Sequence, residues 1–147
     1  MLFRSKEKNG QPFILFRQEV IAELIVFPEQ YNLTYTDVRL FLYLCCEAGN
    51  NALSVKIDIH RLSSYFGLSE TYIQSCVNKL RWADLIRQRE YSYMINPYYI
   101  KFGRKQLWSF HFVNWAKAKA HSKTKTHSIQ AIKKARKAEN DENLHSS

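Results

Sequence analysis

Residues 58–95, DIHRLSSYFGLSETYIQSCVNKLRWADLIRQREYSYMI, decide the fold, because they read as helix, tight turn, second helix and hairpin without a break. Asp58 is a good N-cap, and Leu62 and Phe66 share one helical face. Gly67 permits a sharp turn with no Cβ to clash. Leu68 is placed to plug the corner and Ser69 to cap the next helix. Ile73, Cys76, Val77 and Leu80 then recur at spacings of three and four, which makes one buried stripe. The opposite face is polar: Glu70, Thr71, Gln74, Ser75, Asn78 and Lys79 are short, amide-bearing or charged side chains able to reach base edges and phosphates in a major groove.

Asp84 stands where the second helix should end, and Asp tolerates the left-handed conformation at low cost. Leu85 and Ile86 lead into RQREYSYMI, where Tyr91, Tyr93 and Ile95 suit a strand and Arg87 and Arg89 would lie near a DNA backbone. A generic helical hairpin explains the helices but does not need the β-hairpin. The order therefore predicts an α+β chain with a winged helix-turn-helix core.

Working outward, Phe13–Phe16 suits a short strand, and residues 18–26 place Val20, Ile21, Leu24 and Ile25 on a helical stripe that Pro28 closes. Thr34 and Asp37 resemble a capping box opening a helix with Val38, Phe41, Leu42, Leu44 and Cys45 toward a core. Residues 49–51 (GNN) read as a turn, and 52–56 as a strand pairing with the hairpin. Beyond the wing, Asn96 and Pro97 break the strand, and PYYIKFG reads as an aromatic turn ending at Gly103. Residues 105–115, KQLWSFHFVNW, read as an aromatic strand apolar on both faces, to be buried beneath the N-terminal elements or against a second copy of the chain. A homodimer is the preferred expectation, since paired half-sites raise the specificity of a single reading head.

Charge divides the chain. Residues 1–103 carry 12 Lys and Arg against 10 Asp and Glu, a net of +2, and residues 104–147 carry 10 against 3, a net of +7. The division suggests a DNA-binding domain over 1–116 and a basic, flexible tail over 117–147. That tail is too polar for a core of its own. Lys117, Lys119, Lys123, Lys125, Lys133, Lys134, Arg136 and Lys137 would add sequence-independent phosphate attraction that fades as salt rises. A solubilising terminus without a partner is the plainer reading of the same residues. The three cysteines, without CxxC or Cys/His zinc spacing, fit small core hydrophobes in a reducing compartment. With no signal peptide and no apolar run long enough to cross a bilayer, a cytoplasmic protein without a membrane role is expected.

In the mechanism these residues suggest, Ser69 and its helix N-terminus engage a phosphate and Thr71, Gln74, Ser75 and Asn78 read bases. Lys79 and Arg81 hold the flanking backbone, and Arg87 and Arg89 on the wing touch an adjacent groove. Glu70 could accept from a cytosine amino group, or simply favour the helix dipole.

Enzymatic readings fare poorly. A DNA-nicking centre needs a Tyr nucleophile beside a metal held by closely spaced histidines, whereas His60, His111, His121, His127 and His145 occur singly. The adjacent Tyr98 and Tyr99 read as packing residues. Four glycines leave no place for a nucleotide-cradling loop, and Glu139, Asp141 and Glu142 merely follow the basic run. No metal and no cofactor is expected.

The helix pair, the wing, and then YMINPYYIKFG followed by an aromatic segment resemble the plasmid replication proteins of the RepL family over about residues 13–115. The most specific part is the junction Met94, Ile95, Asn96, Pro97 with the downstream Lys101, Phe102 and Gly103. Asp84, where such helix ends frequently have Gly or Asn, and the long basic C-terminus lie outside the family pattern. The resemblance implies DNA-binding initiation of replication at the origin of a plasmid or similar element, with host replication proteins as further partners. The residues by themselves argue only for binding of double-stranded DNA. A transcriptional or copy-number regulator would need the same reading head, and a winged helix used as a protein-interaction module would turn the polar face of 70–79 toward a protein.

Overall fold

The computed structural model describes residues 14–48, 53–102 and 108–121. Strand β1 (Ile14–Phe16) leads into helix α1 (Gln18–Val26), which buries Val20, Ile21 and Leu24 and leaves Ile25 exposed. A single 3₁₀ turn, Pro28–Tyr31, follows and ends on Asn32 in the left-handed conformation. Helix α2 (Tyr35–Ala48) begins with the expected capping box. The Thr34 N–H donates to Asp37 Oδ2 at 2.7 Å, and the Asp37 N–H donates back to Thr34 Oγ1 at 3.3 Å. Val38, Leu40, Phe41, Leu44 and Cys45 of this helix are buried.

Strand β2 (Ser54–Val55), helix α3 (Ile59–Phe66), helix α4 (Glu70–Trp82) and strands β3 (Ile86–Arg89) and β4 (Ser92–Ile95) come next. Asp58 caps α3 by accepting from the Arg61 N–H, and Gly67 after it has φ 66°, the left-handed turn its missing Cβ makes cheap. The three strands form an antiparallel sheet in the order β2-β4-β3, with Val55 opposite Tyr93 and Arg87 opposite Met94. One core joins α2, α4 and this sheet through Phe41, Leu44, Ile73, Leu80, Ile86 and Met94, each no more than 1% exposed.

The chain then departs from the sequence reading. Asn96 and Pro97 do form a corner: the Asn96 side chain donates to the Asp84 carbonyl at 2.7 Å and accepts from the Tyr98 N–H at 2.9 Å. The aromatic turn expected after it contains strand β5 (Ile100–Phe102), which pairs antiparallel with β1, Leu15 opposite Lys101. Of the aromatic strand expected over 105–115, residues 108–115 belong instead to helix α5 (Trp108–Lys117), and 105–107 lie outside the described residues. Its inward face is His111, Asn114 and Trp115, a helical spacing that includes two polar side chains, with buried Ala118 just past its end, while Phe110 and Val113 are exposed. Counting apolar letters alone gave the wrong period. Among the described residues no helix is long and apolar enough to cross a membrane.

Candidate nucleic-acid interface

Helix α4 is built to hold one face inward. Ile73, Cys76, Val77 and Leu80 are at most 1% exposed, and Ser69 caps the start by accepting from the Tyr72 N–H at 3.1 Å. Its far end is a Schellman closure: the Leu85 N–H donates to the Leu80 carbonyl and the Asp84 N–H to that of Arg81, both at 3.0 Å, with Asp84 at φ 57°. The fixed inward stripe leaves Glu70, Thr71, Gln74 and Ser75 exposed and Asn78 half-buried on the outer side. Gln74 donates to the Asn78 side chain at 3.2 Å, so the two amides one turn apart act as a unit. Glu70 lies 3.5 Å from His60 of α3, an exposed pair. Tyr72, 41% exposed, adds an aromatic group to the first turn that periodicity alone did not single out, because it flanks the buried stripe.

Two cations expected on phosphates are held inside the fold. Lys79 Nζ lies 3.2 Å from Asp37 Oδ2, the capping-box carboxylate of α2, which is fully buried and also accepts from the Thr34 hydroxyl. This pair ties α4 to the start of α2. Burial, followed by hydrogen bonding and charge from Asp37, pushes the neighbouring Cys76 thiol up to about 12, with Lys79 acting the other way. Arg87 makes a two-pronged pair with Asp84, at 2.8 and 2.9 Å, and donates to the Trp115 carbonyl at 3.0 Å. Its guanidinium also sits 4.2 Å from the centre of the Trp115 ring. Burial raises the Asp84 carboxyl, an effect Arg87 partly offsets. Arg87 is therefore a brace between α4, the β3–β4 hairpin and α5, and its guanidinium is engaged within the fold rather than turned outward as expected. An Asp rather than a Gly closes α4 because the same residue accepts the left-handed turn and supplies this carboxylate.

Arg81 and Arg89 are half-buried, Arg81 in the last turn of α4 and Arg89 at the end of β3. Arg81 lies over the Tyr93 ring at 5.8 Å and donates to Gln88 at 3.4 Å. Beyond α5 the chain does not leave the domain at 116. The Lys119 N–H donates to the Gln88 carbonyl at 2.9 Å, forming a bridge on the free edge of β3, and the Trp82 indole donates to His121 at 3.4 Å. Lys119, expected in a free tail, is thus an exposed cation beside β3, and Lys117 is exposed at the end of α5. Lys123, Lys125, Lys133, Lys134, Arg136 and Lys137 lie outside the described residues.

The chain matches no protein-family model, no curated protein and no solved structure.

Proposed function

We propose that the chain is a winged-helix protein that binds double-stranded DNA sequence-specifically, with α4 in the major groove and the β3–β4 hairpin as the wing, and that it initiates replication of a plasmid or similar element. The observation that carries the DNA reading is the outer face of α4: Thr71, Gln74 and Ser75 exposed, the Gln74–Asn78 amide pair beside them, and the wing immediately following. Uncharged hydrogen-bonding groups of this kind distinguish bases, whereas backbone attraction falls to Arg89, Lys117, Lys119 and the basic residues beyond them. The replication reading is supported by the RepL resemblance around Asn96 and Pro97. The chain's own residues need no catalytic step for this role, which is to position partners on duplex DNA.

A second reading, docking of a protein on the outer face of α4, is favoured by the internal pairing of Lys79 and Arg87, which removes two cations from any phosphate footprint. One titration separates the two. The full chain is bound, across a salt series, to duplex from the element's own control region and to scrambled duplex. Gln74→Ala should reduce discrimination between them by about 1–3 kcal/mol. Equal weakening on both duplexes would remove Gln74 from base reading, and no discrimination by the unaltered chain would leave the protein-docking reading in place.

A further inference from the structure

Helix α5 turns its polar side chains inward and its apolar ones outward. His111 and Asn114 are each 4% exposed, and neither His111 Nδ1 nor the Asn114 side-chain nitrogen has a hydrogen-bond partner among the described residues. The indole N–H of Trp108 is buried and unpaired in the same way. On the outward side Phe110 and Val113, three residues apart, are 54% and 53% exposed, with the small Ser109 and Ala116 exposed beside them. A surface helix ordinarily does the reverse, burying its apolar stripe and leaving its polar face to water. Unpaired buried donors weaken the hold of the fold on α5, and the outward stripe is left wet. The orientation makes sense if that stripe is buried as well.

The apolar surface continues beyond the helix. Phe112 meets the Tyr98 ring edge-on with centres 4.7 Å apart, and Tyr98 shares a cleft with Leu15, Phe16 and Trp108. Leu15, Phe16 and Tyr98 are between 41% and 45% exposed. With about 150–250 Å² for a whole aromatic side chain, these three and the α5 pair present about 400 Å² of apolar surface. A homodimer interface of ordinary size buries about 800 Å² on each partner, about 65% of it apolar, so the patch supplies most of what is needed. Charge selects the occupant. The chain carries a net charge of +9, so two copies repel unless they meet on uncharged surface. Residues 108–116, WSFHFVNWA, contain no Lys, Arg, Asp or Glu. The cations lining the cleft, Arg17 and Lys101, are held against the Tyr98 carbonyl and the Trp108 ring. A stripe of two large and two small residues can also pack on its own two-fold image, large into small. We propose that the outward face of α5, extended by Tyr98, Phe16 and Leu15, is the interface of a two-fold symmetric homodimer. The dimer surface expected of an aromatic strand thereby becomes a helix face. Self-association is independent of the DNA reading, and either can fail without the other.

The test is sedimentation equilibrium of the full chain, without DNA, from low to high micromolar concentration, with circular dichroism to check that each variant folds. The mass should pass from one chain to two and stop there. Phe110→Glu and Val113→Glu each bring a carboxylate toward its own image across the two-fold axis, and each should weaken dimerisation by about tenfold or more. Both positions are exposed, so the variants should keep the helical signal of the unaltered chain. Phe110→Leu should keep the dimer, and Ile25→Glu, at an exposed apolar position of α1, should leave it unchanged. A chain that stays monomeric throughout overturns the proposal and leaves the stripe to a different protein. A mass that climbs past two chains, a dimer that survives both α5 charge variants, or one broken by Ile25→Glu overturns it as well.

Discussion

The outer face of α4 and the joint beneath the β3–β4 hairpin use opposite chemistry. On the outer face, past the Glu70–His60 pair at its start, the exposed side chains Thr71, Gln74 and Ser75 are uncharged. At the joint the side chains are charged and enclosed: Lys79 with Asp37, and Arg87 with Asp84 and Trp115. The difference teaches that positive charge in a basic chain is not automatically available to a partner. Half-buried pairs tie the elements together, and the exposed amides and hydroxyls are left free to face a partner.

The strongest way to break this contrast is Arg87→Ala, which strands the Asp84 carboxylate among buried groups. Removing one partner of an enclosed pair costs about 3–5 kcal/mol, so the melting temperature should drop sharply. A variant that melts like the unaltered chain would return Arg87 to the surface role first expected of it. Acid should act more gently. Burial holds the His111 imidazole below its ordinary value of 6.5, and Nδ1 has no hydrogen-bond partner among the described residues. The unfolded chain therefore takes up a proton there more readily than the folded one. Stability from this group is full above pH 6.5 and is lost as pH falls below it. Thermal melts from pH 7.5 downward should show that decline, and His111→Gln should lessen it; an identical decline in the variant would place its origin elsewhere. The smallest effect sharpens the contrast from the other side. Lys119→Ala should reduce the slope of log affinity against log salt by about 0.9 for duplex DNA, without altering base preference. An unchanged slope would take Lys119 out of the phosphate footprint.

The helices from 58 to 82 were legible in sequence because each carries its own punctuation: Asp58, Gly67 and Ser69 mark ends, and the stripe through Ile73, Cys76, Val77 and Leu80 keeps one period. The Thr34–Asp37 box was legible for the same reason, but its second duty toward Lys79 was not, since 42 residues separate that carboxylate from its partner. The contacts of Arg87 were hidden in a similar way, since its long side chain reaches Asp84 three residues back and Trp115 in α5. Residues 108–117 misled for a different reason. Aromatic side chains favour strands in isolation, and tertiary packing of His111, Asn114 and Trp115 on one helical face overrides that preference. Of the candidate site, the polar outer face could be read from periodicity, whereas the pairing of Lys79 with Asp37 and of Arg87 with Trp115 depended on contacts distant in sequence.

The three tryptophans all sit where residues 108–121 meet the rest of the protein: Trp115 against Arg87, Trp108 against Lys101, Trp82 against His121. Each indole is touched by a basic side chain at a different seam. The unlabelled chain consequently carries its own optical gauge, in which a change of intrinsic emission registers the C-terminal segment lifting from β3, from β5 or from the end of α4.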